Sequence, residues 1–358
     1  MTLDTEAALA NTHAAMKVEF LKRLGKSALR IIAALAGIFG VAVLCYLLWF
    51  PGSKAILPPS SRHAIWLGHG WLGDDSWFVR NNRDMGDFRD EAKCVELFQK
   101  LHDNGIAMVY PHLCPTQFDG KIAPYDDAQV ERFLDLAEQW DIQIIPWIGG
   151  VYADSAYPGL ARWRENFVSS VAALLETHPR LAGVQVNIEP MPNGDADFLV
   201  LLEELRVVTC GKILGVAAYP PPTRWHQFPD VHWDAQYLRQ VASRCDQLAV
   251  MMYDTAIPLE KFYIALMTRW TRELSENLQS LDCELILGVP AYEDAGVGYH
   301  RPQVENLSSA LRGISAAARQ KSEFDGVAIY CEWEMDDAKW QVWRKFLPHP
   351  RGMPRHNL

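Results

Sequence analysis

The stretch Leu181-Ala182-Gly183-Val184-Gln185-Val186-Asn187-Ile188-Glu189-Pro190 alternates apolar and polar residues with period two. On a strand that period sends Gln185, Asn187 and Glu189 to one side and Val184, Val186 and Ile188 to the other. A buried polar group without a partner costs roughly 1–3 kcal/mol, so one acid and two amides in sequence are a poor way to fill a core. That side is read as carrying chemistry; the competing reading is a strand whose polar end merely surfaces in a loop.

The elements around this strand repeat one unit. From Arg62 onward, short β-branched or apolar runs alternate with helical patterns of ten to twenty residues, the signature of βα units and a parallel sheet. Eight strands are predicted: 63–68, 106–112, 143–148, 183–189, 213–219, 247–253, 284–292 and 326–333. The helices between them are predicted at 91–104, 127–140, 163–177, 195–209, 234–244, 268–281 and 304–320. That regular count suits an α/β fold of the (β/α)8 TIM-barrel type better than an open doubly wound sheet.

Barrel sites form at the C-terminal ends of the strands, where loops vary without disturbing the interior. Those ends carry Trp66, Trp71, Tyr110, His112 and Trp147 in the first half of the chain. The second half supplies Glu189, Tyr219, Met251, Tyr253, Asp254, Tyr292, Tyr330, Glu332 and Trp333. Flat rings with a few carboxylates and hydroxyls suit a carbohydrate, whose ring faces present C–H groups and whose edges present hydroxyls. The same aromatics could instead plug the barrel mouth.

The chain has 358 residues, 49% hydrophobic and 22% charged, which is a globular composition. A formal charge of −10 and no basic cluster beyond the N-terminus argue against a nucleic-acid partner. Ile31 to Phe50 is uncharged over twenty residues, about the thickness of a bilayer core as a helix. Its apolar character on every face, with Tyr46 and Trp49 as interfacial anchors, predicts a transmembrane helix, retained as a signal-anchor over 29–50. Lys17, Lys22, Arg23, Lys26 and Arg30 precede it, so the N-terminal segment 1–28 is expected in the cytoplasm and the barrel outside it, in the periplasm where there is one. Residues 51–61, rich in proline, read as a linker, residues 62–347 as the barrel, and 348–358 as a tail.

Seven cysteines show no C-x-x-C spacing, so no zinc or redox motif, no metal and no cofactor is expected. Cys210, Cys245 and Cys283 precede the fifth, sixth and seventh strands and should gather at the N-terminal face of the barrel, where either Cys245 and Cys283 pair or all three stay free thiols.

Taken together, several segments resemble the family 18 glycoside hydrolases, the chitinases and related endo-β-N-acetylglucosaminidases. Gly183 to Glu189 resembles the end of that family's D-x-x-D-x-D-x-E strand with only the glutamate kept. Met251-Met252-Tyr253-Asp254 matches M-x-Y-D on the sixth strand, Gly288-Val289-Pro290-Ala291-Tyr292 matches G-x-P-x-Y on the seventh, and Tyr330 stands where the family's eighth strand usually ends in Trp. The resemblance spans about 62–347. It implies a retaining, substrate-assisted hydrolysis in which the 2-acetamido oxygen is the nucleophile. Glu189 would be general acid and then base, Tyr253 would hydrogen-bond the acetamido group, and Asp254 would complete the catalytic set. Asn187, in place of the usual aspartate, would hold the acetamido group, as an asparagine two residues before the acid does in family 85 endo-β-N-acetylglucosaminidases. Gln185 cannot relay a proton as an aspartate does.

Too few residues separate Tyr292 from Val304 for an inserted α+β domain, so a shallow groove is expected, suited to short or branched glycans. The expected partners are an N-acetylglucosamine-containing glycan and, through the N-terminal helix, a membrane. Two other classes stay open: a chitinase-like lectin that binds without turnover, and a metal-dependent hydrolase using His69, His112, Glu189 and Asp254, which lacks a His-x-His ligand spacing.

Overall fold

The computed structural model describes residues 3–113, 116–223, 231–294 and 299–348. Cys114 and residues 349–358 of the expected tail lie outside the described residues. The chain divides into two units, Met1–Phe50 and Pro51–Leu358. The first is a helix, Leu3–Leu48, in which the 20 residues Leu29–Leu48 have a mean hydropathy of 2.6, long and apolar enough to cross a membrane.

In the second unit the strands are β1 (Ala64–Leu67), β2 (Met108–Pro111), β3 (Gln143–Ile144), β4 (Trp147–Val151), β5 (Gly183–Glu189), β6 (Ile213–Ala218), β7 (Gln247–Met251), β8 (Glu284–Pro290) and β9 (Gly326–Tyr330). They pair in parallel in the order β3-β2-β1-β9-β8-β7-β6-β5-β4. β3 and β4 are two halves of one expected strand, broken at Ile145-Pro146 because proline has no N–H for the ladder. His112 bridges Trp147, and the Leu113 N–H donates to the Trp147 carbonyl at 3.0 Å, which closes the ring. The fold is thus the (β/α)8 barrel that the alternating pattern implies.

Alternation along the strands builds two cores. Val184, Val186 and Ile188 of β5 pack outward in a cluster that includes Phe167, Phe198 and Leu205 from the flanking helices. Trp66, Tyr110, Ile145, Trp147 and Ile286 fill the barrel interior. Each loop into the helices Glu91–Asp103, Asp127–Gln139, Ala196–Val208, Ala235–Ala242 and Leu307–Arg319 ends in Asp or Asn, whose side chain accepts a backbone N–H of the first turn. The helix predicted from 268 begins earlier, at Glu260, because Leu259 stands at its start and gives no capping signal.

Segment 51–61, expected as a linker, lies on the barrel instead. The Ser53 N–H donates to the Arg312 carbonyl at 2.9 Å, the Leu57 N–H to the Phe346 carbonyl at 2.7 Å, and the Ser315 hydroxyl to the Ala55 carbonyl at 2.7 Å. Leu57 is buried and anchors the strap.

Candidate active site

β5 delivers its polar side chains at graded depth. Gln185 is fully buried and its Oε1 accepts the Trp66 indole N–H at 2.7 Å. Asn187 lies nearer the mouth, and Glu189 is half-buried at the strand end, accepting the Tyr219 hydroxyl at 3.2 Å. Asn187 also hydrogen-bonds the Glu189 carboxylate. A carboxylate only accepts, so the amide must turn its NH2 toward it. That leaves Asn187 Oδ1, which is buried without a hydrogen-bond partner. Burial pushes the Glu189 carboxyl above its ordinary value; the hydrogen bonds from Asn187 and Tyr219 offset part of the rise, and the Asp254 charge adds to it.

The backbone beneath this strand end leaves no room for a side chain. Gly149 pairs with Asn187 across β4 and β5 at a φ of +136°, and a Cβ there would sit 2.1 Å from the Asn187 carbonyl oxygen.

Glu189 opens into a pocket of about 520 Å³ whose wall includes Tyr219, Met251, Tyr253, Asp254 and Tyr299. Asp254 follows β7 in the left-handed region, φ 61°, which aspartate tolerates better than most residues. Its carboxylate accepts the Tyr292 hydroxyl. Behind it His300 donates from Nε2 to the Tyr292 carbonyl at 3.2 Å, and its Nδ1 lies 3.2 Å from Asp254 Oδ1 and 3.9 Å from Glu305 Oε2. Glu305 is fully buried and takes the Thr255 N–H at 2.9 Å and the Thr255 hydroxyl at 2.7 Å. Burial works against the His300 cation, yet the Asp254 and Glu305 charges hold its pKa above the ordinary value. Burial raises Glu305 as well. Neither residue stood out in the sequence: His300 lies in an irregular loop, and Glu305 fell inside a predicted helix that begins at Leu307.

Tyr330 sits at the centre of the aromatic mouth. It stacks on Tyr253 with ring centroids 5.4 Å apart, and meets Tyr292 at 5.4 Å, Trp333 at 5.7 Å and Trp66 at 5.9 Å edge-on. On its other side is a second cleft of about 660 Å³, which takes Trp147, Trp333 and Glu332. Burial pushes Glu332 up to about 7. The expected ligand-binding set therefore divides. Trp66, Tyr110 and Gln185 lie in the interior, at most 1% exposed. Tyr110 donates to Gln247 Oε1 at 2.5 Å rather than facing the mouth. Alternation gives the face of a strand but not the depth of a residue along it.

A third group gathers where β1 and β2 end. His69 hydrogen-bonds Asp74 Oδ2 through Nδ1, and His112 Nδ1 lies 3.6 Å from the same oxygen. Burial opposes the Asp74 anion, but hydrogen bonds from His112 and His69 hold its carboxyl down at about 2, while burial lowers His112 to about 4. No motif or spacing marks Asp74 as the residue that joins the two histidines.

The model of the glycosyl hydrolases family 18 matches residues 95–296, more than half of the chain. The chain belongs to that family, and its activity class is that of a glycosidase. No curated protein sequence matches it. Among solved structures it is similar to a chitinase from Rhizomucor miehei, with 15% identity, 80% of this chain and 98% of that one covered, and a TM-score of 0.53. It is also similar to the spore cortex-lytic enzyme SleL of Bacillus megaterium, with 11% identity, 81% and 75% covered, and a TM-score of 0.52. A chitinase from Chromobacterium violaceum gives 12% identity, 80% and 98% covered, and a TM-score of 0.53. At these identities the likeness is one of fold.

Proposed function

We propose that the chain is a membrane-anchored hydrolase of N-acetylglucosamine-containing glycans, working by substrate-assisted retention with Glu189 as general acid and base. The observation that carries this reading is the pairing of Glu189, whose carboxyl burial pushes above its ordinary value, with the unpartnered Oδ1 of Asn187. The raised carboxyl can give its proton to the leaving glycosidic oxygen. Asn187 Oδ1 can accept the acetamido N–H, which aims the acetamido carbonyl oxygen at the anomeric carbon. That oxygen displaces the leaving group, and Glu189, now ionised, takes a proton from the water that opens the cyclic intermediate. Tyr253 and Asp254 are the remaining candidates to hold the acetamido group. The apolar run Leu29–Leu48 supports an anchor, and the basic residues before it favour a cytoplasmic N-terminus with the barrel on the opposite side.

The test is Glu189→Gln, assayed by mass spectrometry against chitooligosaccharides, peptidoglycan fragments and N-glycans. Turnover should fall about 10²–10⁴-fold with binding retained. Wild-type protein that binds such a glycan without cutting it, or an unaffected variant, defeats the assignment.

A further inference from the structure

We propose that His69, Asp74 and His112 form a binding site for a divalent transition metal of the zinc class, in the cleft next to the Glu189 pocket. The three residues each offer a ligand atom, and these atoms lie within 4.8 Å of one another. They come from separate pieces of chain that the barrel brings together: the turn after β1, the residue before the helix Asp75–Asn81, and the end of β2. Two imidazole nitrogens with one carboxylate oxygen suit zinc, iron(II), nickel or copper rather than magnesium or calcium, which prefer all-oxygen sites. Three protein ligands leave a coordination position for water or a ligand.

The side chains are held in place by their surroundings, as metal ligands are. The His69 ring stacks on Trp77 with centroids 4.1 Å apart, and the His112 ring meets Trp147 edge-on at 4.5 Å. Asp74 stands where it could cap the helix that follows, yet makes no cap hydrogen bond. Its Oδ1 takes the Gly70 N–H at 2.5 Å, which turns Oδ2 toward both histidines. One oxygen then faces two Nδ1 atoms, with the His69 and His112 ring centroids only 3.6 Å apart. The site borders the cleft of about 660 Å³, which gives an ion a way in.

A second trio, Asp254, His300 and Glu305, is just as compact, but its groups are engaged elsewhere. Thr255 supplies two donors to Glu305, Tyr292 one to Asp254, and His300 Nε2 is spent on a carbonyl.

The experiment uses the untagged full-length chain in detergent, stripped with a chelator and dialysed against zinc, with bound metal measured by elemental analysis. About one zinc per chain is expected. His112→Gln and Asp74→Asn should each weaken binding by at least about tenfold, with circular dichroism unchanged. If Asp74→Asn fails to fold, His112→Gln and His69→Gln decide. With cobalt(II) in place of zinc, the visible bands should lack thiolate charge transfer. Substoichiometric zinc, binding indifferent to the histidine variants, thiolate bands, or equal affinity for calcium would each overturn the site.

Discussion

Tyr219 stands over Glu189 with its hydroxyl 3.2 Å from Oε2, and it is one of the groups that hold down the rise in that carboxyl's pKa. Tyr219→Phe removes a hydrogen bond that favours the charged form, so the Glu189 pKa should climb further. A general acid works while protonated, and activity is lost as pH rises through its pKa. The alkaline limb of the pH–rate profile should therefore move upward in the variant. A limb that stays in place or moves down contradicts Glu189 as the acid.

Asn187 gives a paired test. Asn187→Ala removes both the donor to Glu189 and the free Oδ1, and the rate should drop roughly tenfold or more as the acetamido group loses its orientation. Asn187→Asp puts a like charge beside Glu189, which raises the acid's pKa and shifts the alkaline limb upward. Equal profiles for the Asp variant and the wild type would mean the two side chains do not interact during turnover.

The two tryptophans expected to stack on a glycan should behave differently. Trp333 is 49% exposed at the rim, so Trp333→Ala should weaken glycan affinity by more than about 1 kcal/mol with little change in melting temperature. Trp147 belongs to the interior core at 8% exposure, and Trp147→Ala should cost about 3–5 kcal/mol of stability. Calorimetric titration and thermal melts separate the two effects.

Stability should fall on the acid side because of His63. Buried against Trp343, with Nδ1 accepting the Val327 N–H at 3.2 Å, it has a pKa lowered by burial to about 4. Above pH 6.5 neither the folded nor the unfolded chain holds the proton, and the residue is neutral in its effect. Below that the unfolded chain takes the proton up while the folded one refuses it until about pH 4. The cost across that window is on the order of 3 kcal/mol. Denaturant melts from pH 7 to 4 should show this loss, and His63→Gln should flatten it. An unchanged slope in the variant assigns the acid sensitivity elsewhere.

The barrel and its acid strand were legible in sequence for one physical reason: every second residue of β5 is apolar, packs against helices, and leaves the others to the interior. What was not legible depends on depth or on irregular chain. Gln185 and Glu189 share a face, yet one is sealed under Trp66 and the other opens to the pocket. Asp74, His300 and Glu305 reach their partners from loops or a helix start, where no period marks them. Proline in 51–61 carried the signal of a spacer, and only the seat of Leu57 reveals a strap.

That strap bears on the order in which the domain is made. Its carbonyl and amide groups find their partners at Arg312, Ser315 and Phe346, and β1 finds one of its two neighbours in β9. The segment leaves the ribosome early and waits through nearly the whole of synthesis for the groups that hold it. Contacts so far apart in sequence close slowly, and until they do β1 presents an unpaired edge. A nascent or truncated chain ending before Gly326 therefore exposes a parallel-sheet edge, which makes early termination an aggregation hazard and not merely a loss of activity.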